Sequence, residues 1–133
     1  MRTKQLLQAY GDNAFLRGWS REDLARLERT STIVSFAAGE VVSSDTSSGR
    51  EFLVLLDGSA THSVPAGELA HLEPGDHLGE VAILGGTHGR STVLAETGGK
   101  ALLLSEQEFV SLLQTTPSFG RKLTESLVSQ RVA

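Results

Sequence analysis

Residues 75–92 of the chain hold the side chains whose types and spacing could bind an anion. Residues 81–84 can form one short helical turn, and a glycine-bracketed loop follows it and ends at Arg90. The N-terminus of a helical turn exposes unpaired N–H groups and a partial positive charge, which together favour an anion. Arg90 adds a bidentate, permanently charged donor, and Ser91 and Thr92 add hydroxyls. The segment therefore predicts a phosphate site.

Glu80 stands at the start of the same turn, where it would be an unfavourable neighbour for a bare phosphate. A carboxylate can accept hydrogen bonds from a sugar hydroxyl beside that phosphate. An acidic residue for ribose, with Arg90 and backbone N–H groups for phosphate, fits a nucleotide that carries one compact phosphate. The alternative is that Glu80 and Arg90 form an ion pair that only stabilises a turn.

The elements that must position this segment are short strands separated by turns. Strand-like stretches recur roughly every 8–10 residues, which leaves no room for helical crossovers, so the strands must be antiparallel. Residues 52–56 are uniformly apolar and predict a buried strand. We expect a hairpin turn at Asp57-Gly58 and a strand pair joined around Gly98-Gly99. The pattern predicts an antiparallel barrel or jelly roll.

Helical patterns precede the strands. Ser20 can cap a helix over about residues 20–30 by accepting a hydrogen bond from the backbone N–H of Asp23. Asp23 is expected to reach back toward the cap in the same way, as a shorter version of the usual glutamate. We expect a looser helical turn or two in residues 3–17.

Helical patterns also follow the strands. Residues 105–108, Ser-Glu-Gln-Glu, form a capping box for a helix that runs to about Thr115. Pro117 suits the first turn of a second helix. The apolar stripe of that helix is most often the face packed on the barrel, and it could alternatively contact a partner; it consists of Phe119, Leu123 and Leu127.

The predicted fold class is mainly β with flanking helices (α+β), in a single domain over residues 1–133. Its parts are N-terminal helices over residues 1–30, a β-barrel over 31–104 with the phosphate site at 79–92, and C-terminal helices over 105–133.

Composition excludes several function classes. Twelve Lys and Arg against sixteen Asp and Glu give a net charge of −4, so no bulk positive field favours nucleic acid. The chain has no cysteine, hence no disulfide and no thiol chemistry. No apolar run approaches the ~20 residues that cross a bilayer, and the N-terminus turns polar too soon for a secretory signal. We expect a cytoplasmic protein that contacts neither nucleic acid nor membrane.

Enzyme chemistry finds little support. The four histidines lack the H-x-H spacing by which a metal-dependent jelly-roll enzyme brings its ligands together, and surface positions are expected for them; they are His62, His71, His77 and His88. The chain also lacks a G-x-S-x-G nucleophile elbow. We therefore expect no catalytic residue, no metal site and no cofactor.

Residues 79–84, with the sequence GEVAIL, and the following Arg90-Ser91-Thr92 resemble the phosphate-binding cassette of the cyclic nucleotide-binding domain family. Its members include catabolite activator regulators of bacteria and regulatory subunits of cAMP-dependent protein kinase. The family pattern is roughly F-G-E-L-A-L-L, a short loop, then R-(S/T/A)-(A/T). The similarity covers nearly the whole chain and implies an eight-stranded antiparallel jelly-roll barrel.

The resemblance implies a role for each cassette residue. Glu80 would accept a hydrogen bond from the ribose 2′-hydroxyl, and the Gly79 backbone would line the sugar. The backbone N–H groups of Val81 and Ala82 would face the cyclic phosphate. Arg90 would neutralise the exocyclic phosphate oxygens.

The hydroxyls that follow bear on which nucleotide is bound. The resemblance implies that Ser91 hydrogen-bonds the phosphate and lies near the base. Relatives that favour cGMP often carry Thr directly after the arginine, whereas this chain has Thr92 one position later. The expected ligand is therefore cAMP, with cGMP as the alternative.

Two features depart from the family pattern. Ser43-Ser44-Asp45 stands where the family usually has a glycine in the loop after its second strand, and Leu78 replaces a phenylalanine. The chain also ends soon after its last helix, so we expect a reader domain without an effector module.

The resulting prediction is a non-enzymatic cyclic nucleotide sensor. It would signal through movement of its terminal helices to a protein partner or a second copy, contacted through Phe119, Leu123 and Leu127. The alternative is an interaction module whose cassette no longer binds nucleotide.

Overall fold

A computed structural model describes residues 9–44, 50–63, 69–85 and 92–132, with side chains described as far as Ser126. Within these ranges eight strands and four helices are defined. The strands are β1 (Thr32–Phe36), β2 (Val41–Ser44), β3 (Glu51–Asp57), β4 (Ala60–Ser63), β5 (Leu69–Leu72), β6 (His77–Leu78), β7 (Thr92–Ala95) and β8 (Gly99–Ser105). The helices are α1 (Arg21–Thr30), α2 (Glu80–Gly85), α3 (Glu106–Thr115) and α4 (Pro117–Val132).

The strands form two antiparallel sheets of four strands each, in the orders β1-β8-β3-β6 and β2-β7-β4-β5. One hydrophobic core lies between the sheets and includes Leu53, Leu55 and Val93. A second core lies between the first sheet and the helices and includes Phe52 and Phe119. Both faces of β3 are therefore buried, which confirms the buried strand that its apolar sequence predicts.

The closed barrel expected from the sequence is a two-sheet β-sandwich instead. The turns at Asp57-Gly58 and Gly98-Gly99 are present, but each carries the chain from one sheet to the other, so the strands they join do not pair. Among the described strands only β4 and β5 pair with their neighbour in sequence.

The contact between these two turns explains why the strands they join lie in different sheets. A Cβ atom added at Gly58 or Gly99 would overlap the backbone of the opposite turn. Glycine at these positions thus permits a close approach between two corners of the sandwich, a role that a local sequence pattern does not distinguish from a hairpin.

The helix boundaries follow the capping residues. Ser20 accepts a hydrogen bond from the Asp23 N–H at 3.1 Å and caps α1. Ser105 and Glu108 form the expected capping box at α3, which ends at Thr115. Pro117 begins α4.

Several boundary predictions differ from the structure. Ser43 and Ser44, expected in a loop, continue β2 because β7 offers them partners in Val93 and Thr92. In the region expected to be loosely helical, residues 9–10 are helical and residues 11–12 and 14–17 are turns, while residues 3–8 lie outside the described part.

The C-terminal helix packs on its own domain. Phe119 is fully buried and Leu123 is 7% exposed, both in the core under the helices. This confirms the packing role for Phe119 and Leu123; the Leu127 side chain lies outside the described part. No helix in the described ranges is both long and apolar enough to cross a bilayer.

The sequence suggested that Asp23 completes the cap of its own helix, but in the structure it does not. Its Oδ2 accepts from the backbone N of Ser118 at 3.0 Å and from the Ser118 hydroxyl at 2.6 Å. The Ser118 hydroxyl is the main cause that holds the pKa of Asp23 below its ordinary value. A buried carboxylate of α1 therefore caps the first turn of α4.

We predict that Asp23→Ala lowers the free energy of unfolding by about 2–3 kcal/mol, because two buried donors on Ser118 lose a charged acceptor. A lowered carboxyl pKa stabilises the fold above the unfolded value of 3.8, and the stabilisation disappears as the pH falls through the folded pKa. The deficit should therefore shrink in urea titrations run below pH 3.8. Glu22→Gln, which alters an exposed ion pair with Arg26, is the matched control and should cost at most about 0.5 kcal/mol. An equal loss from both variants would contradict the assignment.

Candidate functional site

The cassette helix α2 starts against strand β3. Gly79 has a φ of +113°, and a Cβ atom there would overlap the carbonyl of Glu51 and approach the Phe52 Cα to 3.0 Å. The Gly79 carbonyl accepts from the Ile83 N–H at 3.0 Å and so closes the first turn of the helix. Ile83 is buried in the core under the helices. Glycine and a single apolar anchor thus fix where the helix begins.

Four predicted site residues come together at this start. Gly79, Glu80, Val81 and Ala82 are consecutive through the first turn of α2, whose early N–H groups have no partner within the helix. The Val81 side chain is 71% exposed and points away from the core. Its expected contribution is therefore the backbone N–H alone.

Of the remaining three predicted site residues, only Thr92 lies in the described part of the chain. Thr92 begins β7 and pairs with Ser44 on one side and Ser63 on the other. Arg90 and Ser91 lie outside the described residues, so their contacts with phosphate stay predictions.

A small cavity of about 30 Å³ lies between α2 and the two sheets. Its described lining is Ser43, Arg50, Glu51, Leu53, Leu78, Gly79, Ala82 and Val93.

Arg50 joins three elements beside this cavity, although its sequence position after a polar loop gives no sign of it. One guanidinium nitrogen donates to the Ala82 carbonyl at 3.2 Å, and another lies 2.9 Å from the Glu106 carboxylate. The side chain is only 16% exposed. The end of the loop before β3, helix α2 and the first turn of α3 are therefore held by one cation.

Glu80 contacts a histidine that the sequence placed at the surface. Its Oε1 lies 3.2 Å from Nδ1 of His77, and the two side chains are 13% and 11% exposed. Oε2 is buried and has no hydrogen-bond partner among the described residues. The surface prediction for His77 is wrong because β6 turns this side chain toward the aromatic residues under the helices, where its ring packs against Phe15 and Phe52.

His62 is likewise directed inward rather than to the surface. It stands opposite Val93 on β7, which is buried between the sheets and lines the cavity. Its Nε2 is buried without a partner in the described part of the chain, and burial lowers the pKa of the ring. A strand places alternate residues on the same face, so the position of His62 two residues after the buried Ala60 was a usable signal.

His71 fits the surface prediction. Its ring lies 2.8 Å from Glu96 and 3.3 Å from Glu73, and it is half exposed. Desolvation acts to lower the pKa of His71, but the hydrogen bonds and charges of Glu96 and Glu73 outweigh it and raise the pKa. His88 lies outside the described residues, and no group of three potential metal ligands occurs in the ranges that are described.

A model of the cyclic nucleotide-binding domain matches residues 33–116, more than half of the chain. The Pycsar effector protein PaPycTIR of Pseudomonas aeruginosa is 33% identical over 111 residues, covering 82% of this chain and 36% of that protein. The cAMP-dependent protein kinase regulatory subunit of Eremothecium gossypii is 33% identical over 99 residues, covering 74% of this chain and 22% of that protein. The chain thus spans about a third of the first relative and less than a quarter of the second.

The fold is also found in a solved structure. The regulatory subunit of a cAMP-independent protein kinase A from Trypanosoma brucei superposes with a TM-score of 0.76 at 20% identity. The match covers 95% of this chain and 46% of that one.

We predict that His62→Gln makes the free energy of unfolding less sensitive to acid. A histidine whose folded pKa is lowered stabilises the fold above the unfolded value of 6.5 and loses that contribution as the pH falls. His71→Gln is the matched control with the opposite sign, since a raised pKa stabilises below 6.5 and the effect is lost at higher pH. Urea unfolding at pH 5, 6, 7 and 8 measures both. Parallel curves for His62→Gln and the unmodified chain would refute the prediction.

Proposed function

The chain belongs to the cyclic nucleotide-binding domain family, and we propose that it is a regulatory module that binds a cyclic nucleotide, cAMP in preference to cGMP. The observation that carries the proposal is the position of Glu80. Its carboxylate stands at the start of α2 and keeps one buried oxygen without a partner among the described residues. A buried acceptor of this kind costs free energy until a donor reaches it, and a ribose hydroxyl is such a donor.

Each cassette residue contacts a different part of the nucleotide. Glu80 accepts from the 2′-hydroxyl, the Gly79 backbone lines the sugar, and the N–H groups of Val81 and Ala82 face the phosphate. Arg90 neutralises the exocyclic oxygens, with the hydroxyls of Ser91 and Thr92 beside it. Charge-assisted hydrogen bonds contribute about 1.5–3 kcal/mol each, so these contacts supply a large share of the about 8 kcal/mol that a micromolar Kd represents.

Nucleotide binding at this cavity requires it to widen, because ligand sites typically enclose about 300–1,000 Å³ and the described residues leave about 30 Å³. Arg50, which ties α2 to Glu106 of α3, stands at its wall. Movement of α2 away from β3 therefore disturbs the contact to α3. A ligand that prefers the open arrangement shifts the population by its difference in affinity between the two.

The signal passes to a protein partner or a second copy through α4. In the described arrangement Phe119 and Leu123 are buried in the domain's own core. They become available to a partner only when α4 repacks, so exposure of this stripe reports the ligand state. The module itself carries out no reaction and acts in the cytoplasm.

A second function is favoured by one observation. The Glu80 carboxylate is directed at His77 and is not among the described lining of the cavity. If that contact is permanent, the domain is an interaction module that does not respond to nucleotide.

We predict that the chain binds cAMP in calorimetry with a micromolar Kd, and cGMP more weakly. Arg90→Ala should weaken binding at least about 100-fold, because two charge-assisted hydrogen bonds to phosphate are lost. Glu80→Ala should weaken it about tenfold or more.

Arg21→Ala and Glu22→Gln are the matched controls, since both residues lie exposed in the first turn of α1 and should leave the Kd unchanged. If no binding is detected up to millimolar nucleotide, the sensor hypothesis is wrong and the interaction module is the better explanation.

A further inference from the structure

We propose that His62 is a specificity-determining residue of the nucleotide site, whose ring nitrogen Nε2 accepts a hydrogen bond from the exocyclic amino group of a bound adenine base. The inference rests on the proposed function. It adds a residue on a strand of the second sheet that contacts the base, beside the cassette residues that contact sugar and phosphate.

The position of His62 follows from the register of the second sheet. His62 on β4 stands directly opposite Val93 on β7, and Val93 stands opposite Ser43 on β2. Residues directly opposite each other in antiparallel strands lie on the same face, with Cβ atoms about 4.5–5.5 Å apart. Ser43 and Val93 line the small cavity beside α2. His62 is therefore the next side chain in a row whose first two members form one wall of that cavity.

This row lies on the face of the sheet that is turned toward the first sheet. Ala60, two residues before His62 on β4, is fully buried, and Val93 is 2% exposed. Both belong to the core between the two sheets. Since alternate residues of a strand lie on the same face, the His62 ring is directed into the space between the sheets.

The cavity connects the row to the start of the cassette helix. Gly79 and Ala82 of α2 line the same cavity as Ser43 and Val93. A nucleotide carries its base on the side of the sugar away from the phosphate. A ligand whose phosphate is held at the start of α2, and which widens the cavity toward β4, therefore brings its base to His62.

The far end of the row leaves space for a base. Ala70 on β5 stands directly opposite His62 on β4, and β5 is the edge strand of the second sheet. Ala70 is exposed, although its register places it on the inner face. The ring of His62 is thus bordered on this side by a small, exposed side chain and not by a packed core residue.

The chemistry of the ring fits an amino group. Nε2 of His62 is buried and has no partner among the described residues, which costs free energy until a donor reaches it. Burial lowers the pKa of the ring, so it is neutral near pH 7. A neutral imidazole with its proton on Nδ1 presents Nε2 as an acceptor, and the exocyclic amino group of adenine is a donor. The other members of the row carry no charge that would compete; they are Ser43, Val93 and Ala70.

The test combines a change in the protein with a change in the ligand. Calorimetry on the full chain measures the Kd of cAMP and of the cyclic monophosphate of purine riboside, which differs from cAMP only in lacking the amino group. The unmodified chain should bind cAMP about two- to tenfold more tightly than this analogue, the size of one hydrogen bond. His62→Leu should bind both with the same Kd, because the acceptor is gone.

His71→Leu is the matched control. It makes the same substitution on the same sheet, at a position that pairs with Thr61 and is half exposed. Because His71 lies on the outer face, this variant should keep the full preference for cAMP.

The outcomes separate this inference from the proposed function. If His62→Leu keeps the preference for cAMP, or weakens both ligands equally, the contact between His62 and the base is refuted while the sensor function stands. Equal binding of both ligands by the unmodified chain refutes it as well. If the unmodified chain binds neither ligand, the proposed function fails and the role of His62 falls with it.

A second measurement decides if His62→Leu does not fold. In nitrogen NMR of the unmodified chain, the Nε2 resonance of His62 should differ between the complexes with cAMP and with the analogue, since only cAMP donates to it. Identical resonances in the two complexes would overturn the inference.

Discussion

Strand β3 is buried on both faces, and each face supports one of the two hydrophobic cores. Phe52, Val54 and Leu56 belong to the core under the helices, while Leu53 and Leu55 belong to the core between the sheets. The carbonyl of Glu51 approaches Gly79, and the Phe52 ring packs on His77. The start of α2 is thus packed against the most buried of the described strands.

Three acidic residues connect the helices to this framework. Asp23 joins α1 to α4, Glu106 joins α3 to Arg50, and Glu80 joins α2 to His77. Hydrogen bonds to charged groups contribute about 1.5–3 kcal/mol each. Full release of α4 would also expose Phe119 and Leu123, at about 1.5–3 kcal/mol each. These costs together approach the about 8 kcal/mol of a micromolar ligand, so a nucleotide is more able to repack α4 than to release it.

Local patterns predicted much of the fold, and long-range partners account for what they missed. Ser20, the Ser105 capping box and Pro117 each act within one helical turn, and their helices begin where the sequence predicted. The same local reasoning predicted the wrong partner for the Asp23 side chain, because its actual partner Ser118 is 95 positions away. Gly58 and Gly99 correctly predicted the positions of two turns. They did not predict that each turn joins strands of different sheets, since strand pairing depends on how the two sheets stack. His77 was missed for a similar reason: burial of one ring depends on residues from α4 and β3 together.

Charge balance decides between a nucleotide sensor and an interaction module. Glu80 is itself favoured at the N-terminus of α2, where the helix dipole stabilises a carboxylate. A phosphate about 5 Å from that carboxylate would be repelled by about 3 kcal/mol at an effective dielectric constant of 20. Arg50 is already engaged with Glu106 and the α2 backbone, so the compensating charge has to come from elsewhere. Arg90 is the residue proposed for that task. An arginine that faces the phosphate offsets the repulsion between the phosphate and Glu80. An arginine that pairs with Glu80 instead would neutralise that carboxylate and leave no free positive charge for the phosphate.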